Sequence, residues 1–139
     1  YKSIVLSKFI NAVMKEGKKS LAEKIVYGAL EIIEKKTGEP ALDVFITAVD
    51  NVRPLIKVVS RRIGGSNYQV PTEVNKKNAQ AMAYRWVISF ARNRAEKTMV
   101  ERLAGELLAA YKKEGASIKR REDVHKMAEA NKAFAHFRV

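Results

Sequence analysis

The 139-residue sequence predicts a mainly α-helical chain, a single helical domain of about six helices with a two-stranded β-hairpin arm protruding between the third and fourth. Three observations predict it. Apolar residues recur at the i, i+3, i+4, i+7 spacing of one helix face along most of the chain. That period fails once, over Leu55 to Val74, where alternation around a Gly-Gly pair replaces it. Gly17, Gly38 and Pro54 stand at the ends of periodic runs, as helix stops should.

Each element follows from its own spacing. Leu6, Phe9, Ile10, Val13 and Met14 make the first helix, which Gly17 ends. After Lys18, Lys19 and Ser20, the stripe Ala22, Ile25, Val26, Ala29, Leu30 and Ile33 makes the second. It stops at Lys35, Lys36, Thr37 and Gly38, with cations at the negative end of the helix dipole. Pro40 suits a first turn, Leu42, Phe45, Ile46 and Val49 form the expected buried stripe of the third helix, and Pro54 forces Arg53 out of the helical region. Val58 and Val59, then Tyr68, Val70, Thr72 and Val74, suggest two strands. Gly64, Gly65, Ser66 and Asn67 tolerate the positive φ of a tight turn. Pro71 cannot donate to a ladder, so its strand should be an edge, and a hairpin of this kind should project as an arm.

Ala79, Met82, Ala83, Trp86, Val87 and Phe90 define a fourth helix from about Lys76 to Arg92, with Trp86 expected in the core. Thr98 and Glu101 form a capping-box pattern ahead of Val100, Leu103, Ala104, Leu107, Leu108 and Tyr111, and Gly115 is the expected stop of this fifth helix. Ser117 is the expected cap of a last helix with Val124, Met127, Ala128 and Phe134 on its apolar face, ending near His136. A 47% hydrophobic content suffices for a core without staples, and no repeat or linker divides the chain.

Charge narrows the function. Lys and Arg number 27 against 15 Asp and Glu, a formal net charge of +12. The excess is uneven: +1 over Tyr1 to Val52, +8 over Arg53 to Arg94 and +3 over Ala95 to Val139. A solvated face is the ordinary reason for a charge run. Cations this crowded repel one another, and a phosphate backbone that offsets the repulsion is the better explanation. With no Cys there is neither a disulfide framework nor a thiolate metal site, which suits a reducing compartment. No apolar run reaches the ~20 residues of a membrane-spanning helix. His125 and His136 lack ligand spacing, and no phosphate-loop, dinucleotide or nucleophile-elbow motif occurs, so no metal, cofactor, small-molecule substrate or catalytic role is expected.

The candidate site residues follow from this. In VSRRIGGSNYQVP, Arg61 and Arg62 can fork onto phosphate or a base edge, Gly64 and Gly65 allow a close backbone approach, and Tyr68 can stack on an unpaired base. Arg53 and Lys57 flank the root of the arm. Lys76, Lys77, Arg85, Arg92 and Arg94 could continue a basic surface along the fourth helix, Lys18 and Lys19 fall in the expected turn between the first two helices, and Lys119, Arg120 and Arg121 offer a smaller second patch.

Four runs carry a family resemblance across essentially the whole chain: MKEGKKSLAEKIVYGAL, SRRIGGSNYQVPTEV, ARNRAEKTMVERLAGEL and KRREDVHKMAEANKAFAHFR. With these the sequence resembles the ribosomal protein seven family of the small subunit. The resemblance implies a helical domain with a β-arm that binds the 3′ major domain of small-subunit ribosomal RNA, nucleates assembly of the subunit head, and lies near the exit-site transfer RNA and the messenger path. It implies neighbouring small-subunit proteins as partners, with nine and eleven expected, and residence in cytoplasmic or organelle ribosomes. Carried over by motif, the RNA-facing residues are Lys18, Lys19, Arg61, Arg62, Gly64, Gly65, Tyr68, Arg92 and Arg94; Lys119 to Arg138 could partly face protein instead. A basic extension usual in the family would precede Tyr1. The competing reading is an architectural DNA-binding protein, because a basic β-arm carrying a proline also bends duplexes from the minor groove.

Overall fold

Short polar side chains set where several helices begin in the structure, a computed structural model that describes residues 3–137. The Ser3 hydroxyl accepts from the Leu6 amide and opens α1, Ile4–Val13. Helix α2, Lys19–Thr37, ends where Gly38 turns left-handed at φ +69. Pro40 occupies the cap of α3, Ala41–Val52, and Arg53 is extended ahead of Pro54. The Asn75 side chain accepts from the Asn78 amide and starts α4, Lys76–Arg92. Thr98 caps α5, Met99–Tyr111, by accepting from the Glu101 amide, while the Glu101 carboxylate takes the Thr98 hydroxyl proton rather than the cap amide of a full capping box. Helix α6, Gly115–Ala130, leads into a 3-10 segment, Lys132–Phe137.

The core lies where α5 packs on α2, α3 and α4. Leu103 and Leu107 of α5 meet buried Val26, Leu30 and Ile33 of α2, and Val44, Phe45, Ala48 and Val52 of α3. Gly28 permits the α2–α5 approach, since a Cβ there would lie 2.9 Å from a Val100 methyl. On the other side, α1 is held by three rings: Phe9 meets Phe45 edge-on at 4.9 Å and Tyr84 at 5.1 Å. The buried Tyr84 hydroxyl donates to the Val5 carbonyl and accepts from Gln80, so the ring's one polar atom is satisfied. Burial pushes its pKa up to about 12.

The hairpin pairs β1, Ile56–Ile63, with β2, Ser66–Glu73, in antiparallel register. Only Gly64 and Gly65 take positive φ, at +59 and +85, the two-residue turn whose twist matches the strands. Both strands are edges of this two-stranded sheet, which accommodates Pro71. The tip is exposed from Arg61 to Asn67 except for half-buried Ile63. The root is not: β1 packs on α6, β2 packs on the 3-10 segment, and Val70 and Pro71 are buried.

Several boundaries and faces differ from the sequence expectation. In α3 Phe45 and Val49 are buried as expected, but the buried face widens to Val44, Ala48 and Val52, and Ile46 is exposed. Helix α5 stops before Gly115, because Lys113 takes the left-handed conformation at φ +59, and Gly115 instead opens α6. Glu114 holds the cap position there. Ser117 lies one turn inside, where its hydroxyl and amide serve a buried carboxylate. Met127 is exposed, and Phe134 belongs to the 3-10 segment. Trp86 and Phe90 are only half-buried.

Candidate nucleic-acid interface

The root of the arm, α1 and α4 enclose two adjoining hollows that share Lys8, Lys77 and Gln80. The first adds Lys57 and Arg85 and has no carboxylate in its lining. The second adds Arg53 and Lys76 and has one acid, Asp50, which the Arg53 guanidinium already engages. Helix α4 supplies half of these cations because its apolar stripe faces inward at Ala79, Ala83 and Val87, leaving Lys76, Lys77 and Arg85 exposed on the far side. Arg92, two turns beyond Arg85, is exposed on the same flank and lines a separate hollow with Lys15, Glu16 and Lys18. Lys18 pairs loosely with Glu16 at 3.5 Å with both side chains largely solvated, and such a pair barely reduces the local charge. Lys19 is the first residue of α2 rather than part of the turn.

At the arm, register fixes the direction of the arginines. Arg61 pairs with Tyr68 and Arg62 with Asn67, so the two guanidinium groups leave opposite faces of the ribbon. Both are exposed, and neither forms an ion pair among the described residues. The Gly64–Gly65 turn just beyond them has open space around both Cα atoms.

Besides Lys18, the expected contact residues Arg53, Tyr68, Arg94, Arg120 and Arg121 have partners in the chain itself. Arg94 forks onto Glu96 at 2.8 Å and reaches buried Glu106 at 3.3 Å. Its hydrogen bonds hold the Glu96 carboxyl down at about 2, so that group is fully ionised at neutral pH. Glu106 also accepts from the Ser117 hydroxyl at 2.7 Å and the Ser117 amide at 3.1 Å, which clamps the start of α6 to α5 and to the end of α4. Arg94 therefore ties helices together instead of facing outward. Arg121 Nε donates to the Arg53 carbonyl at 3.0 Å, locking α6 to the arm's root, and the Arg120 guanidinium lies 5.7 Å from the Trp86 ring centre. Tyr68, expected to meet a base, packs against Phe134 at 5.2 Å and Phe137 at 5.1 Å, because its face of β2 turns toward the 3-10 segment. Lys119 remains exposed on α6.

Two residues of the site lie outside the set expected from the sequence. Lys8 sits on the outer face of α1, and only the tertiary packing of α1 on α4 brings it beside Lys77. Glu106 did leave a signal, a lone carboxylate one turn beyond Leu103 on the buried face of α5. Neither histidine joins a metal-type cluster among the described residues. His125 Nε2 instead accepts the Leu55 amide at 3.0 Å, where burial and the Arg121 charge lower its pKa. Pro71 is buried at the root of the arm, not exposed at its tip, so the ribbon has no proline wedge of the kind that kinks a duplex.

A helical body with a cationic cleft and an arginine-bearing β-arm has the charge distribution of a protein that meets a polyanion. A family model described as "Ribosomal protein S7p/S5e" matches residues 1–132, and the chain belongs to this family of ribosomal proteins, which is structural rather than enzymatic. The small ribosomal subunit protein uS7 of Syntrophotalea carbinolica is 61% identical over 99% of this chain and 88% of its own length. The same-named protein of Aeromonas hydrophila is 60% identical over 98% of this chain and 87% of its own. That of Campylobacter jejuni is 57% identical over 99% and 89%. The chain is thus a small-subunit ribosomal protein, and no described helix is long and apolar enough to cross a membrane.

Proposed function

We propose that this chain binds the 3′ major domain of small-subunit ribosomal RNA, nucleates assembly of the subunit head, and lies there near the exit-site transfer RNA and the messenger path. Proteins nine and eleven of the subunit are its proposed protein neighbours, and the cytoplasmic ribosome its proposed location. One observation carries the reading: Lys8, Lys57, Lys76, Lys77 and Arg85 converge on one cleft with no free carboxylate, continuous in sequence with the exposed arginines of the arm. Phosphates taken up there release counterions, which gives binding a large salt-sensitive term. Lys18, Lys19, Arg92 and Lys119 extend the proposed contact at its edges, and Gly64 and Gly65 let RNA backbone approach the turn. Arg53, Arg94, Arg120 and Arg121 act mainly by holding the frame.

The test is a salt titration of binding to a 3′-domain RNA fragment. Arg61→Ala and Arg62→Ala, made singly, should each weaken binding, with the log–log salt slope falling by ~0.7 to 0.9 for each lost phosphate contact. Since the two side chains leave opposite faces of the ribbon, unequal losses would tell which face meets RNA. If neither variant changed affinity or slope, or if duplex DNA displaced the fragment at equal phosphate concentration, the reading would fail.

A further inference from the structure

A two-stranded hairpin is marginal in water without a surface to pack on. In this protein the surface for the outer half of β2 comes from the far end of the chain. Tyr68 sits in a three-ring cluster with Phe134 and Phe137, whose rings are nearly parallel with their centres 6.2 Å apart. The 3-10 segment that carries both phenylalanines packs on β2 and, more sparingly, on α6, and none of its residues is fully buried. Among the described residues its one ion pair, Lys132 to Glu129, returns to α6 and is largely solvated.

We infer that Phe134 and Phe137 are positioning residues, a C-terminal brace that orders the arm before RNA arrives and thereby sets how tightly the arm binds. The structural half of this inference stands on the ring cluster alone; the binding half rests on the RNA-binding reading above. Two facts favour a brace over a mere surface contact. Tyr68 lies directly across the ladder from Arg61, so fixing the tyrosine fixes the strand position that presents that guanidinium. The buried contacts of β2 end at Val70 and Pro71, below Tyr68, so the rings are what continues the support toward the tip. An arm held in one conformation loses less conformational freedom on binding, and affinity rises without any new contact.

The experiment compares the full chain with Phe134→Ala/Phe137→Ala. In the unbound protein, amide exchange should accelerate in Ser66–Glu73 by about tenfold while the amides of α2 and α5 keep their protection, the control for folding. Affinity for the 3′-domain RNA fragment should fall about three- to tenfold with an unchanged salt slope, since no cation is removed. Phe134→Tyr/Phe137→Tyr should restore both. Tyr68→Leu, which opens the cluster from the other side, should reproduce the exchange change. Unaltered exchange in β2 would overturn the brace. Tighter RNA binding by the double alanine variant would overturn it too, because the segment would then be a competitor for Tyr68. If exchange responds as stated but the parent chain does not bind the fragment, the brace stands and the RNA-binding reading is what fails.

Discussion

Two triads of aromatic rings do the same geometric work at very different depths. Phe9, Phe45 and Tyr84 join α1, α3 and α4 in the body and are almost wholly shielded, at 0%, 0% and 4% exposure. Tyr68, Phe134 and Phe137 join the arm to the chain's last segment and are each half-buried. The ring spacings are alike, near 5 Å for the closest pairs in both. Depth is what differs, and depth decides how much apolar surface leaves water when the contact forms. The body is therefore set by global folding, while the arm is a local structure that can open below the global barrier. On the RNA-binding reading proposed above, that division separates a cleft fixed by the body from an arm whose order depends on its local brace.

The sharpest way to break the comparison is to remove a ring from the deep triad. Phe45→Ala should cost about 3–5 kcal/mol of unfolding free energy by urea titration, from the lost burial plus the cavity left among α1, α3 and α4. Amide exchange in the arm should change far less than in α3, because its opening does not require the body to open. A loss below about 1 kcal/mol would mean the body relaxes around the gap, and the contrast in depth would lose its meaning.

A second test concerns the buried carboxylate that separates frame from face. Glu106→Ala leaves the buried Ser117 hydroxyl without its acceptor and returns Arg94 to Glu96 alone. Stranding a buried polar group costs roughly 1–3 kcal/mol, and the loss should appear as early fraying of the α6 start in hydrogen exchange. If stability held within about half a kcal/mol, the apolar contacts of Ile118 and Val124 would suffice to hold the start of α6 without the carboxylate.

What the sequence disclosed follows the same line. The α4 limits, the caps at Thr98 and Gly38 and the Gly64–Gly65 turn depend on neighbours a few residues away, so local spacing revealed them. The cleft and the frame do not. Arg85 and Arg94 read alike as basic residues on or just beyond one helix, yet one is free in the cleft and the other is held by Glu96 and Glu106. Nothing in their spacing separates them, because the discriminating partner lies on α5. Nor does local spacing reveal what Tyr68 packs on, since its phenylalanine partners are more than sixty residues away. The placement of Gly115 failed through a local ambiguity: a glycine with positive φ serves a helix start after a tight turn as well as it serves a stop.

The smallest expected effect lies at the hinge between the two regions, where Leu55 leads from Pro54 into β1. The Leu55 amide donates to His125 Nε2, and that bond exists only while the imidazole is neutral at that nitrogen. Burial first, and then the nearby Arg121 charge, lowers the histidine's pKa from 6.5. The folded form therefore resists protonation more than the unfolded chain does. Stabilisation from this contact is complete above about 6.5 and is lost as the pH falls through the depressed folded value. The amide proton resonance of Leu55 should accordingly shift as the pH is taken from about 7.5 to about 5, with core amides of α3 unmoved. His125→Ala should abolish the titration without altering the Arg121 to Arg53 contact that still holds α6 to the root. Arm-root amides whose exchange is unchanged in His125→Ala would show that Arg121 alone fixes the hinge, and the arm's base would then belong to the body rather than to the ribbon.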